Sequence, residues 1–139
     1  MSTELVGGRI TASKPVEWYS KESHVFLSPD GRANVVASSE PLEPDIDSRG
    51  YADVQGDLLE QEFAGYREHS FEAMAVFGGR TGFRRRFSWQ PEDSEPVTQV
   101  QLYYAEDGRG FTATATAAEG EYDLYELTLL ELLGSLRIE

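Results

Sequence analysis

The tetrapeptide Glu106-Asp107-Gly108-Arg109 constrains the fold of this chain more than any other part of the sequence. Asp and Gly tolerate the positive φ angles of a two-residue type I′ turn, so a β-hairpin is predicted around Asp107-Gly108. The loop fixes the cross-strand pairs. The apolar face pairs Tyr104 with Phe111, Leu102 with Ala113 and Val100 with Ala115, and the polar face pairs Tyr103 with Thr112, Gln101 with Thr114 and Gln99 with Thr116. Both strands then bury the same side of the sheet, which supports this register.

The hairpin belongs to a longer series of β-like segments that alternate apolar and polar residues. Four strands are predicted in succession: His69–Phe77, Thr81–Trp89, Val97–Ala105 and Arg109–Ala117. Three shorter strands precede them: Arg9–Ala12, Glu22–Ser28 and Asn34–Ser38. The segment Glu40–Asp47 contains two prolines and several acids, so we expect a loop there.

Two helices are predicted from near-helical spacing of apolar residues. The first begins at Asp47 or Ser48 and runs to about Gly65, with an apolar face formed by Tyr51, Val54, Leu58, Leu59 and Phe63. Its acidic face is interpreted as solvated rather than as a docking surface. The second begins with Asp123 as its cap and carries a leucine stripe: Leu124, Leu127, Leu130, Leu133 and Leu136. We interpret that stripe as buried against Ala113, Ala115 and Ala117, with a partner-binding ridge as the alternative.

Together these elements predict an α+β fold, an antiparallel sheet of about six to seven strands packed by two helices. A length of 139 residues fits one domain over residues 1–139, in which residues 1–8 are expected to form a flexible tail. The amino terminus lacks the pattern of a signal peptide, and Leu124–Leu136 is too short and too polar to span a membrane. We therefore expect a cytoplasmic protein without direct membrane insertion.

Composition excludes several functional classes. The chain has 25 acidic and 12 basic residues, a net charge of −13, which disfavours nucleic acid and anionic lipid as partners. There is no cysteine, which excludes thiolate metal sites and thiol nucleophiles. The two histidines, His24 and His69, fall on different predicted strands and no catalytic or metal-binding spacing is present. We therefore expect no enzymatic activity, no cofactor and no metal.

A cluster of basic residues is the best local indication of a binding site: Arg80, Arg84, Arg85 and Arg86. The candidate partner-binding site places Arg84 and Arg86 on a polar sheet face beside Gln99, Gln101 and Tyr103. The alternative is that these arginines neutralise acids of the same chain. Arg85 falls on the aromatic side of its strand, so we expect it to reach solvent at an edge or to pair with a helix carboxylate.

The order of elements, with particular residues at their joints, resembles the DcrB-like bacterial domain of the Mog/PsbP superfamily. The resemblance extends from Trp18 to the end of the chain. It rests on Trp18, Phe26, Asn34-Val35-Val36, Tyr51, Leu58, Gly65-Tyr66, Gly79, Phe87-Ser88-Trp89, Gln99-Val100-Gln101, Asp107-Gly108-Arg109, Thr112-Ala113-Thr114-Ala115 and Leu133-Gly134-Ser135-Leu136. It implies an α/β sandwich and no catalytic residues. Known roles in this superfamily include binding a small GTPase, supporting photosystem assembly, and holding apolar segments of type VI secretion effectors against the sheet.

Three functions from different classes remain. The first is a non-enzymatic protein-binding domain, a chaperone or adaptor for a secreted or membrane-destined client, which uses the sheet face that the helices leave open. The second is a small-molecule binding domain with a pocket between sheet and carboxyl-terminal helix, lined by Phe87, Trp89 and Tyr104. An enzyme would require His24 or His69 to meet carboxylates in a cleft. A protein partner is expected in the first case, and a homodimer is left open.

Overall fold

The computed structural model describes residues 2–6, 10–15 and 21–139. Strands β1 (Ser2–Val6) and β2 (Ile10–Lys14) pair antiparallel as a separate two-stranded sheet. Part of the predicted tail, residues 2–6, therefore forms a strand, and β2 extends the short strand predicted at Arg9–Ala12. Arg9 and Trp18 lie outside the described residues.

The main sheet has six antiparallel strands in the order β3-β4-β8-β7-β6-β5. Their bounds are β3 (Glu22–Leu27), β4 (Ala33–Pro41), β5 (Arg67–Val76), β6 (Arg80–Trp89), β7 (Val97–Glu106) and β8 (Arg109–Ala118). The predicted α+β fold class is confirmed. The predicted start of the loop at Glu40 is wrong, because Glu40 and Pro41 still belong to β4 and pair with Gly110 and Arg109 of β8.

The central hairpin has the predicted register. All six pairs named above are present between β7 and β8. Asp107 and Gly108 have φ angles of 50° and 76°, the left-handed values that the turn demands. Local turn chemistry thus determines which residues of β7 and β8 share a face.

The helices are α1 (Ser48–Glu62) and α2 (Tyr122–Ser135). The side chain of Asp47 caps α1 by accepting a hydrogen bond from the Gly50 amide at 2.8 Å, as predicted. The predicted cap of α2 is wrong: Glu121 occupies the cap position without a side-chain hydrogen bond, and Asp123 lies in the first turn. A carboxylate in the first turn still complements the helix dipole. Acidic residues are therefore favourable both at the cap and in the first turn, and the sequence does not distinguish the two positions.

The two helices pack mainly on different strands of the sheet. Helix α1 packs over β6 and β7, and α2 packs on the opposite face over β8 and β4. Beneath α2, Ala113, Ala115 and Ala117 are fully buried and belong to one core cluster with Leu129 and Leu133. The two leucines that begin the predicted stripe, Leu124 and Leu127, are instead exposed, because the stripe that packs on the sheet is rotated toward Leu129. No helix within the described residues is long and apolar enough to cross a membrane.

Candidate functional site: the open half-face

The five residues of the predicted site do not share a surface. Tyr103 of β7 pairs with Phe83 of β6, which places Gln99, Gln101 and Tyr103 on the α1 face of the sheet. Arg84 pairs with Leu102 and therefore lies, with Arg86, on the α2 face. The predicted common face is wrong because the β6–β7 register sets Arg84 and Arg86 opposite Leu102 and Val100, and side chains that pair across strands lie on the same face.

The two arginines have acidic partners within the chain. Arg84 forms a 2.8 Å ion pair with Glu72 of the neighbouring strand. Arg86 lies 3.7 Å from Glu126 of α2, and its guanidinium carbon is 4.7 Å from the centre of the Tyr122 ring. These contacts fit the intramolecular alternative, and a role of Arg84 and Arg86 in partner binding stays a prediction.

Arg85 behaves differently from both of its predicted outcomes, since it is buried under α1 and paired with a strand residue. Its Nε donates to Glu68 of β5 at 2.8 Å, and its Nη1 donates to the backbone carbonyl of Ala52 in α1 at 3.2 Å. Gly56 provides the space: a Cβ atom there would lie 2.5 Å from Nη2 of Arg85. A glycine that weakens the helix in isolation is therefore required by the tertiary contact.

A chain of hydrogen bonds leads from Arg85 out from beneath α1. Arg85 donates to the Tyr103 hydroxyl at 2.8 Å, which in turn donates to the side-chain oxygen of Gln101. The Gln101 amide then donates to the Thr114 hydroxyl at 3.1 Å. Burial raises the pKa of the Tyr103 phenol to about 12 against the lowering effect of Arg85, so Tyr103 is a neutral donor at physiological pH.

A second series of hydrogen bonds holds the neighbouring glutamine, Gln99, in place. Trp89 donates from its indole nitrogen to Gln99 at 2.7 Å, and Gln99 donates to the Thr116 hydroxyl at 2.8 Å. Both glutamines are thereby held in one orientation by partners on either side. Of the predicted site, Gln99, Gln101 and Tyr103 thus form a preorganised polar unit.

Beyond these glutamines, the α1 face of the sheet is not covered by a helix of the described part of the chain. We call this surface the open half-face. It consists of the α1-side residues of β3, β4 and β8 and the flank of α1 beside them. Its apolar strand residues are Val25, Leu27 and Val36, and its polar floor is Gln99, Gln101, Thr112, Thr114 and Thr116. Val54 and Leu58 of α1 are assigned to the flank because they follow Tyr51 at helical spacing, and the Tyr51 ring lies against Gly110 on this face of β8.

The large apolar side chains of this surface are conspicuously exposed. Val25 and Leu27 on the edge strand β3 have exposed fractions of 60% and 69%. Val54 and Leu58 of α1 have exposed fractions of 51% and 42%. None of the four is predicted as a site residue from the sequence, because helical spacing assigns Val54 and Leu58 to the buried face of the helix. The sequence does contain a pattern that indicates Val25 and Leu27. They lie two residues apart, hence on the same side of a predicted strand, and no predicted helix covers that side.

The predicted lining of the small-molecule pocket by Phe87, Trp89 and Tyr104 is wrong. Phe87 and Trp89 lie on the α1 face and pack on Phe63, whose ring centre is 3.9 Å from that of Trp89. Tyr104 lies on the α2 face, so the sheet separates it from the other two. The three residues share an aromatic pattern in the sequence but not a surface.

The histidines likewise do not converge. His24 lies on β3 within 2.9 Å of Glu22, and His69 lies on the opposite edge strand β5 within 2.8 Å of Ser88. Ser88 is completely buried, which leaves its hydroxyl inaccessible to a substrate. Within residues 2–6, 10–15 and 21–139, no group of three or more potential metal ligands is present.

Comparison with known proteins places the chain in a family. The family model of DcrB matches residues 13–133. The chain belongs to the DcrB family. This DcrB-family chain also matches the crystal structure of PA94 from Pseudomonas aeruginosa, a protein of unknown function, with a TM-score of 0.79 and 17% identity over 100% of this chain and 97% of PA94.

A second solved structure is more distant. LpqN, involved in cell envelope biogenesis of Mycobacterium tuberculosis, has a TM-score of 0.57 and 15% identity over 83% of this chain and 81% of LpqN. At these identities the two likenesses show the fold alone. Among curated proteins, none matches the sequence of this chain significantly.

Proposed function

We propose that this chain is a non-enzymatic protein-binding domain, a chaperone or adaptor that holds an apolar segment of a client protein on the open half-face. The observation that carries the proposal is the group of four large aliphatic side chains exposed by 42% to 69% around one sheet surface. Contiguous apolar patches on soluble domains mark interaction sites more often than scattered apolar residues do. A secreted or membrane-destined client fits because such clients carry long apolar segments.

The polar floor supports the same proposal. Gln99 and Gln101 already donate to Thr116 and Thr114. An apolar segment that covers them therefore leaves few amide groups buried without a hydrogen bond. Their desolvation is therefore less costly than that of free glutamines. A floor whose amides are already hydrogen-bonded to threonine hydroxyls accepts apolar side chains without selecting one sequence.

The charge of the chain adds a preference for the flanks of the client segment. With a net charge of −13, the domain attracts segments bordered by lysine or arginine and repels those bordered by acids. This preference acts mainly on association rate and weakens as salt is added.

The test uses a fluorescent peptide of about 20 alternating leucine and alanine residues with two lysines at each end, a length typical of a membrane span. The full chain is expected to keep this peptide in the supernatant without detergent and to bind it saturably. A Leu27→Gln, Leu58→Gln double variant is expected to bind at least about tenfold more weakly. The matched control, Leu124→Gln with Leu127→Gln, changes two leucines that are also exposed but lie on α2.

Equal loss in the control, or no retention of the peptide by the unchanged protein, would show that the open half-face does not hold apolar segments. A peptide with glutamates in place of its lysines is expected to bind more weakly, and the difference should shrink at high salt. Circular dichroism of both double variants establishes that they are folded.

A further inference from the structure

A cavity lies on the opposite face of the sheet from the open half-face, between the end of α2 and the β5–β6 turn. Its volume is about 330 Å³, at the lower end of the range for small-ligand pockets. Its apolar lining comes from β5, β7, α2 and the turn, and includes Met74, Val76, Phe77, Leu102, Leu130 and Leu133.

Among the described residues, the charged groups that line this cavity are all basic. They are Arg84 and Arg137, and no Asp or Glu of the described residues joins them in the lining. In a chain with 25 acids and 12 basic residues, a lining with two arginines and no acid is a marked local reversal of charge. A ligand that complements it carries a negative group and an apolar body.

Arg137 is the arginine that best fits recognition of an anion. Seven other arginines form ion pairs with carboxylates: Arg32, Arg49, Arg67, Arg80, Arg84, Arg85 and Arg86. Arg137 forms no ion pair with a carboxylate of the part of the chain that the structure describes. Its side chain packs against Gly78, where a Cβ atom would lie 3.3 Å from Cγ and 3.1 Å from Nη1.

We propose that this cavity is a binding site for a small apolar carboxylate, with Arg137 pairing to the carboxylate and the leucine-lined interior taking the apolar body. A guanidinium matches a carboxylate in a bidentate geometry, and a charged hydrogen bond is stronger than a neutral one. Arg84 adds positive charge from the neighbouring strand although it is shared with Glu72. This site is independent of the proposed chaperone function, since the sheet separates it from the open half-face.

Gly134 offers a way to close the cavity. It lines the cavity in the last turn of α2, and a Cβ atom there would meet no heavy atom within 4 Å. A Gly134→Leu variant is therefore expected to fill the space while favouring the helix. A Cβ atom at Gly120 would likewise meet no heavy atom within 4 Å, and Gly120 lies outside the cavity, so Gly120→Leu is the matched control.

The experiment titrates the full chain with decanoate below its micelle concentration and follows backbone amides by ¹H–¹⁵N NMR. Saturable shifts are expected at Gly78, Gly79 and Gly134, and not at Gly31 or Gly65. Gly134→Leu is expected to abolish the shifts and Gly120→Leu to retain them. Arg137→Gln is expected to weaken decanoate binding about tenfold, and 1-decanol is expected to bind the unchanged protein comparably weakly.

Three results would overturn the proposal: no saturable shifts, shifts centred on Val25 and Leu27 instead, or equal binding of decanoate and 1-decanol. Dispersed spectra establish folding of each variant. If Gly134→Leu fails to fold, the Arg137→Gln variant and the decanol comparison still decide the outcome. Failure here leaves the peptide experiment on the open half-face unaffected, so the two proposals are separable.

Discussion

Helices α1 and α2 lie on opposite faces of the same sheet and are held there by different kinds of contact. Under α1, the guanidinium of Arg85 fills the space left by Gly56 and bonds to Glu68, Tyr103 and the Ala52 carbonyl. Under α2, small alanine side chains let the leucines of the helix approach the strands. Small residues thus serve two purposes, since in one interface they admit a charged group and in the other they admit a helix.

The difference has an energetic consequence. Hydrogen bonds to a guanidinium have fixed directions, so the α1 interface should respond to loss of charge and partners. Packing of leucine on alanine is tight but not directional, so the α2 interface should respond to volume. The following changes test that contrast, in order of decreasing expected effect.

The largest effect is expected from Glu68→Ala, which removes the counterion of Arg85. The side chain of Arg85 is only 6% exposed, so its charge would be left buried without a counterion. The free energy of unfolding is expected to fall by about 3 kcal/mol. Glu72→Ala on the same strand is the control, because its partner Arg84 is more exposed, and a loss below about 1 kcal/mol is expected. Chemical denaturation measures both, and equal losses would contradict the contrast.

The next effect is expected from Ala115→Leu beneath α2. Ala115 is fully buried, so the added atoms must push the helix from the sheet, at a cost of about 2 kcal/mol. Thr114→Leu, one residue earlier, points to the open half-face and is expected to cost less than about 1 kcal/mol for its hydrogen bond to Gln101. Thermal unfolding of the two variants compares them. A smaller cost at Ala115 than at Thr114 would mean that α2 does not pack tightly.

A smaller effect, opposite in sign between the two helices, is expected from glycine-to-alanine changes. Gly56→Ala should lower the free energy of unfolding by about 1 kcal/mol, because displacement of the Arg85 guanidinium outweighs the gain in helix propensity. Gly134→Ala in α2 meets no neighbour and should raise it by up to about 1 kcal/mol. Urea denaturation checks both signs, and stabilisation by Gly56→Ala would show that Arg85 is not held against α1.

The smallest effect concerns a polar tether of α2, which is otherwise held by apolar packing. Hydrogen bonds from Ser28, Tyr125 and the Arg32 amide lower the pKa of Asp30 from 3.8 to about 2. The folded state thus favours the carboxylate, whose contribution is complete above pH 3.8 and is lost as the pH falls through 2. Tyr125→Phe should move the titration of Asp30 toward 3.8. Carbon-13 NMR of the Asp30 carboxyl measures this, and an unchanged midpoint would exclude the tether.

The sequence alone determined the fold class and most strand positions. Asp107-Gly108 sets the β7–β8 register through the positive φ angles of its turn, and Asp47 caps α1 through a bond to an amide only three residues away. The three alanines of β8 indicated close approach of a helix, which the core confirms. Such features are local or follow from alternation along one strand, so they can be derived without knowing the partners.

Only the tertiary structure decided how the candidate site is assembled. The register between β6 and β7 puts Arg84 and Arg86 on the face opposite Gln99 and Gln101, and no local residue encodes that register. The lateral position of each helix leaves Leu27 and Leu58 exposed and draws Arg85 under α1. The physical reason is that alternation specifies two faces for each strand, whereas the pairing of strands and the placement of helices depend on packing between residues far apart in the chain.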